Sequence, residues 1–164
     1  FQDPDDQLFM PTVIEDVMFG PKNFGYSNED AEKNAVEALR MVGMDDFQDR
    51  APHHLSFGQK RKVAIATVLA SKPKLLVLDE PASNLDPASR RDLIKILKNL
   101  NISIILVTHD LPMALEICER SLILNEGEIK EDSQTKTILK NEEIMKENRL
   151  ELPFGFALHH LGDE

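Results

Sequence analysis

The chain is poor in the features that would place it outside the ordinary globular class. It has a single cysteine, Cys118, so no intrachain disulfide framework can hold the fold; a reducing compartment and a small core role for Cys118 are the easier readings. No run approaches the roughly 18 apolar residues of a membrane-spanning helix, and no basic-then-apolar leader opens the sequence. Any membrane connection is therefore expected through a partner. Basic residues are few, 19 against 29 acidic, for a net charge of -10, which argues against a nucleic-acid binder working by long-range attraction. There is no internal repeat or low-complexity segment. What remains, 164 residues with 41% hydrophobic and 29% charged, suits one soluble domain with its own core. The opening Phe1-Gln2, in place of a methionine, leads us to expect a piece of a longer protein.

The most informative stretch is Leu75 to Pro81, L-L-V-L-D-E-P. Its four apolar residues are too short for a helix and end in two acids and a proline, which reads as a buried strand with carboxylates at its tip. Such tips are where open α/β sheets bind ligands. Asp79 there is a candidate magnesium ligand, and Glu80 a candidate for orienting a water that attacks phosphate. Downstream, Asp86 caps a helix that has Pro87 at its first position and an apolar face of Leu93, Ile96, Leu97 and Leu100. A second strand, Ile102 to Val107, follows, so strand, helix and strand form a crossover between parallel strands. The two strands then end in Asp-Glu and Thr108-His109 on the same side of a sheet.

Upstream, a turn-rich acidic opening leads into a short helix over Ile14 to Phe19, ended by Gly20-Pro21. Leu8, Phe9, Met10, Val13 and Ile14 are either local core or a docking surface. Ser27 or Asn28 caps a helix through Val42 that buries Ala35, Ala38, Leu39 and Val42 and closes at Gly43. In Leu55-Ser56-Phe57-Gly58-Gln59, Ser56 and Gln59 spell a capping box for a helix largely apolar from Val63 to Ala70. Lys60, Arg61 and Lys62 read as a solvated first turn, although the helix dipole prefers anions there. After the second strand we expect a short helix over Met113 to Cys118. A hairpin of Ser121 to Leu124 with Glu128 to Lys130 should follow, then helices over Thr135 to Leu139 and Asn141 to Asn148, and an apolar tail that packs on the body or a partner. His53, His54, His159 and His160 have no partners at zinc-site spacing.

Taken in order, Gln2, Leu55 to Gln59, Leu75 to Pro81, Ser83 to Asp86 and His109 resemble the motifs of the nucleotide-binding subunits of ATP-binding cassette (ABC) transporters. Gln2 matches the Q-loop and L-S-F-G-Q the signature; Asp79 and Glu80 match the Walker B acids, S-N-L-D the D-loop, and His109 the switch histidine. Any one alone is unspecific, whereas five in the right order are specific. The resemblance implies ATP and Mg2+ as ligands. Ser56, Phe57, Gly58, Gln59 and Asp86 would contact nucleotide, and Asp79 and Gln2 would hold magnesium. Glu80, His109 and Gln2 would act on the γ-phosphate and the attacking water. It also implies a head-to-tail pair with a second ATPase subunit, in which the signature of one closes on nucleotide held by the other.

A narrower resemblance, D-P-D-D-Q-L-F-M-P-T-V-I-E-D-V-M-F-G-P from Asp3 to Pro21, is to the ATPases of energy-coupling factor and cobalt or nickel importers; Glu151 to Phe154, E-L-P-F, is compatible with it. There the segment after the Q-loop docks a transmembrane subunit, which turns Leu8 to Ile14 into an expected interface. The chain departs from the family pattern at Phe57, where glycine is usual. It departs more seriously in having no G-x-x-x-x-G-K-S/T, the loop that cradles phosphates. The expected fold is thus α/β, a partial P-loop NTPase of the ABC ATPase type: a parallel core sheet plus a helical signature subdomain, without the N-terminal P-loop strand. Its divisions would be residues 1–72, 73–132 and 133–164. The expected function is that of the C-terminal part of an importer ATPase, peripheral at the cytoplasmic membrane face, with no nucleic-acid partner and inactive alone. The rivals are a non-transport ABC ATPase of DNA repair or translation and a truncated docking subunit. Against the first, only 52 residues lie between Gln2 and Leu55, too few for a long coiled coil. Against the second, a scaffold has no need of Glu80 and His109.

Overall fold

The computed structural model describes residues 4–152; Gln2 and the tail from Pro153 lie outside them, and so do the expectations placed on both. The chain divides into two compact units, Phe1–Val107 and Thr108–Glu164. In the first, a 3-10 turn at Pro4–Asp6 precedes α1 (Val13–Asn23) and α2 (Asn28–Met41). Thr12 and Glu15 form a capping box at the start of α1, a T-x-x-E spelling that fixes the helix one residue earlier than expected. The helix does not stop at Gly20-Pro21. Pro21 lies inside α1, where it withholds the amide that would donate to the carbonyl four residues back. A Cβ on Gly20 would lie 2.9 Å from Ser71 Oγ, so this glycine serves a close approach. The stop is Gly25, at φ +84, whose amide donates to Lys22 while that of Tyr26 donates to Pro21, a Schellman motif. Gly43 ends α2 in the same way, with the Met44 amide on the Leu39 carbonyl at 2.8 Å and both side chains buried.

The third helix, α3 (Phe57–Leu69), packs on α1 and α2 and buries Val63, Ala64, Ile65, Ala66 and Leu69. A helix buried on so much of its circumference is held by tertiary contacts rather than by one amphipathic face. Then β1 (Leu75–Asp79), α4 (Pro87–Asn99) and β2 (Ser103–Val107) form the expected crossover, and the strands pair in parallel from Leu75 opposite Ser103 to Asp79 opposite Val107. In α4 the buried residues are Leu93, Ile94 and Leu97, a face turned toward Ile94 relative to the expected stripe.

The strands depart from expectation in one respect: they are not buried on both faces. Leu76 is covered and Leu78, Ile104 and Leu106 are half-buried, whereas the other face exposes Leu75 (47%), Val77 (59%), Ile105 (50%) and Val107 (52%). Paired residues of parallel strands share a face, so these four and Asp79 form one open apolar surface. Parallel sheets are ordinarily covered on both sides.

In the second unit, α5 (Leu111–Ile117) starts two residues earlier than expected because Asp110 accepts from the Met113 amide. The hairpin is β3 (Arg120–Asn125) with β4 (Glu128–Gln134). Both turn residues have positive φ, Glu126 at 52 and Gly127 at 78, which defines a type I′ turn. Helices α6 (Thr135–Lys140) and α7 (Glu142–Glu147) follow as expected, and Ile123, Ile138, Leu139 and Met145 make the unit's core. Thr135 is buried with its hydroxyl on the Cys118 carbonyl. Cys118 is half-buried, and burial pushes its thiol pKa up.

Candidate functional site

The signature segment is built by its own side chains. Ser56 Oγ accepts the Gln59 amide at 3.3 Å and Gln59 Oε1 accepts the Ser56 amide at 2.9 Å, the reciprocal capping box expected from the spelling. The Lys60 amide already donates to the Ser56 carbonyl. By helix geometry the Phe57 and Gly58 amides have no carbonyl within α3 to donate to. They are the donors this helix start can offer an anion.

Gly58 has a second use that spacing could not reveal. A Cβ there would lie 2.4 Å from Ser89 Oγ and 2.9 Å from Ser89 Cβ, so glycine lets the start of α3 lie against the start of α4. Ser89 in turn belongs to the Asp86 cap. Asp86 Oδ1 accepts the Ala88 and Ser89 amides at 2.9 and 3.0 Å, and Oδ2 accepts the Ser89 hydroxyl. The Ser89 hydroxyl first, then the Ser89 and Ala88 amides, hold the Asp86 carboxyl below the usual range. Signature and D-loop are thus joined through Gly58 and Ser89.

The basic first turn of α3 is not solvated, contrary to expectation. Lys60 pairs with Asp5 and Lys62 with Asp92, so acids from other segments relieve the conflict with the helix dipole. Arg61 is only 5% exposed, its guanidinium 5.5 Å from the centroid of the Phe57 ring. That stacking gives Phe57, the departure from the family pattern, a packing role.

At the other end of β1, Asp79 is exposed and Glu80 half-buried. The Glu80 amide donates to the Val107 carbonyl at 2.9 Å, one rung beyond the ladder, while its φ of 45 turns the chain off the strand. A bulky residue in the left-handed region is strained, and such strain gathers at functional sites. Asn84, at φ 61, tolerates that region better; with it the loop folds back to Asp86. Among the described residues no group of three His, Cys, Asp or Glu is placed to hold a metal. Asp79 alone still fits magnesium, which takes one or two carboxylates and fills its shell with phosphate and water. His109 lies in the second unit, two residues beyond β2, between Thr108, whose hydroxyl accepts the Asp110 amide, and Leu111, whose amide donates to the His109 carbonyl.

Within the expected docking segment, the structure separates core from surface. Leu8 and Val13 are buried, while Phe9 is 62% exposed and stacks edge-on against Phe19, itself 40% exposed, at 5.0 Å between centroids. Two residues passed over in the sequence organise this segment. Gln7 donates to the Ala64 carbonyl of α3 at 2.8 Å, and Asp16 accepts from the Phe9 and Met10 amides. Neither follows a local spelling, since both contacts depend on tertiary packing.

The parallel crossover, the acids at its strand end and the capped helix α3 make the first unit an α/β architecture. Comparison with known proteins makes it specific. The family described as "AAA domain, putative AbiEii toxin, Type IV TA system" matches residues 12–116. A "Putative ABC transporter ATP-binding protein" of Streptomyces coelicolor is 60% identical over 156 residues, which cover 95% of this chain and 60% of that protein. "Energy-coupling factor transporter ATP-binding protein EcfA" of Methanothermobacter thermautotrophicus is 44% identical over 156 residues, 93% of this chain and 50% of its own length. The solved structure of cbiO1 from Clostridium perfringens, part of the ABC transporter complex cbiONQ, matches with a TM-score of 0.78 at 38% identity, covering 93% of this chain and 62% of that one. The fold is therefore that of a P-loop NTPase of the ABC ATPase type, in part. The chain belongs to the AAA-domain family whose model it matches, and its homologues are named ABC transporter ATP-binding proteins. It spans about 60% of the length of the Streptomyces relative.

Proposed function

We propose that this chain works as the C-terminal part of the ATP-hydrolysing subunit of an energy-coupling-factor type importer, driving uptake of a metal ion or vitamin. The observation that carries the reading is the open apolar face of β1 and β2, which runs into Asp79. In the resemblance, the strand that carries the phosphate loop joins this same sheet at an edge; the open face is then left for a helix to cover, as in other parallel sheets, and such a helix meets Asp79 at the strand end. Asp79 holds magnesium, which when bound neutralises charge on the phosphates. Glu80 orients or deprotonates the attacking water. For His109 and Gln2 the resemblance alone supplies a role, contact with the γ-phosphate, water or magnesium. The Phe57 and Gly58 amides and the Ser56 hydroxyl are presented to nucleotide held by a second ATPase subunit, and Gln59 and Asp86 keep their two loops in shape for that contact. Two copies, or two related chains, therefore pair head to tail.

No helix among the described residues is long and apolar enough to cross a membrane; in this reading the protein is peripheral at the cytoplasmic face, held by a transmembrane subunit at the surface around Phe9 and Phe19. The chain by itself supplies half of a site and is inactive alone. Co-purification of the complete ATPase with its transmembrane subunit, set against binding to duplex nucleic acid, tests the class. Stable recovery with the membrane subunit is expected. Tight duplex binding at physiological salt with no membrane subunit retained would point to a non-transport ABC ATPase instead.

A further inference from the structure

The exposed aromatic pair Phe9 and Phe19 rests on a buried charge. Asp16, in the first turn of α1, is 3% exposed. Its Oδ1 accepts both the Phe9 and the Met10 amides, each at 3.0 Å, while Oδ2 is buried without a hydrogen-bond partner. Burial pushes this carboxyl up, with the two amides pulling the other way. A half-satisfied buried carboxylate is unfavourable for folding in itself. An apolar residue in the same space would spare that cost but leave the Phe9 and Met10 amides without this acceptor, so what the carboxylate supplies is its hold on these two amides. Its geometric effect is definite: two successive amides converging on one oxygen fix the direction in which the intervening side chain leaves the loop. That side chain is Phe9. The loop's other end is pinned by Gln7 on Ala64, and the Phe19 ring comes from α1 itself.

From this we infer that Asp16 is the positioning residue of the docking surface: its carboxylate clamps the Phe9–Met10 backbone so that Phe9 stands exposed against Phe19, in the pose that receives a helix of the transmembrane subunit. The inference rests on the docking reading above and adds what sets the surface's shape. Preorganisation of this kind raises affinity by removing the cost of ordering the loop on binding.

The test uses the complete ATPase and its cognate transmembrane subunit, purified in detergent, with Asp16→Asn, Asp16→Ala and Phe9→Ala variants. Affinity is measured by surface plasmon resonance and loop order by amide hydrogen exchange. Phe9→Ala should weaken binding about tenfold or more, as loss of an aromatic anchor does. Asp16→Ala should do the same with Phe9 in place, and Asp16→Asn should fall between, because a neutral amide oxygen is a weaker acceptor. In both Asp16 variants exchange should speed up at Phe9 and Met10 while the α3 amides stay protected, a local signature that general unfolding would not give. If Phe9→Ala weakens binding while both Asp16 variants bind as the native protein does, or if their Phe9 and Met10 amides stay protected, the role of Asp16 is overturned and the docking surface stands. If Phe9→Ala itself binds normally, the docking surface is wrong and the role of Asp16 falls with it.

Discussion

Replacing Val77 by lysine should have opposite consequences in this chain and in the complete protein. Val77 is 59% exposed at the centre of the open face of β1. In the 164-residue chain a lysine there meets water and loses only strand preference, about 0.5–1 kcal/mol. With the face covered, the same lysine forfeits about three-fifths of the 1.5–3 kcal/mol that full burial of valine provides, roughly 1–2 kcal/mol. It also places an unpaired charge in an apolar layer at a cost of several kcal/mol more. The two backgrounds should therefore differ by about 4 kcal/mol or more. With urea slopes of about 1–3 kcal/mol/M, this is a midpoint drop of more than about 1.3 M, or failure to fold, in the complete protein, against about 0.2–1 M in the chain, about a quarter as large at the same slope. Leu76→Lys is the control: Leu76 is 2% exposed, so it should be severe in both. Equal tolerance of Val77→Lys in both backgrounds would mean that nothing covers this face. A severe cost in the 164-residue chain would mean the face is not open.

Three other outcomes follow from the site. Ser56→Ala removes the cap of α3 and should cost about 1 kcal/mol, read as a lowered melting temperature. Gly58→Ala drives a Cβ into Ser89 and should cost about 1–3 kcal/mol; in a double-mutant cycle Ser89→Gly should be less harmful on top of it than alone, and simple additivity would show that the two residues do not touch. Asp86 is held below its ordinary pKa by Ser89 and Ala88, so its cap stabilises α4 above the unfolded carboxylate value, about pH 4. That contribution is lost as pH falls through the lower folded value. Asp86→Asn should flatten this part of the acid stability profile, and an unchanged profile would count against the cap.

What could be read from sequence here is what local chemistry decides. The Ser56–Gln59 box, the Asp86-Pro87 helix start and the hairpin at Glu126-Gly127 each rest on neighbours within a few residues, and each formed; the two strands are legible as short apolar runs, and their parallel pairing follows from the helix between them. Errors arose where distant residues decide. Gly20-Pro21 reads as a stop, but Gly20 is there for a close approach to Ser71 and α1 runs on to Asn23. Lys60 to Lys62 reads as a solvated turn, but Asp5 and Asp92 reach two of the cations and Phe57 covers the third. Asp16 has no motif at all; its role depends on a loop folding back over α1. The composition of the strands reads as buried and suits a sheet covered on both faces, one of which this chain leaves open.

In the proposed function Asp79, Glu80 and the signature form an incomplete site that works only with a phosphate loop from outside these 164 residues. Steady-state ATP hydrolysis with magnesium, measured on this chain and on the complete protein side by side, tests it most directly. The chain alone should show negligible turnover, and the complete protein about 1 per second or more, abolished by Glu80→Gln. Turnover of about 1 per second by the 164-residue chain itself would contradict the account.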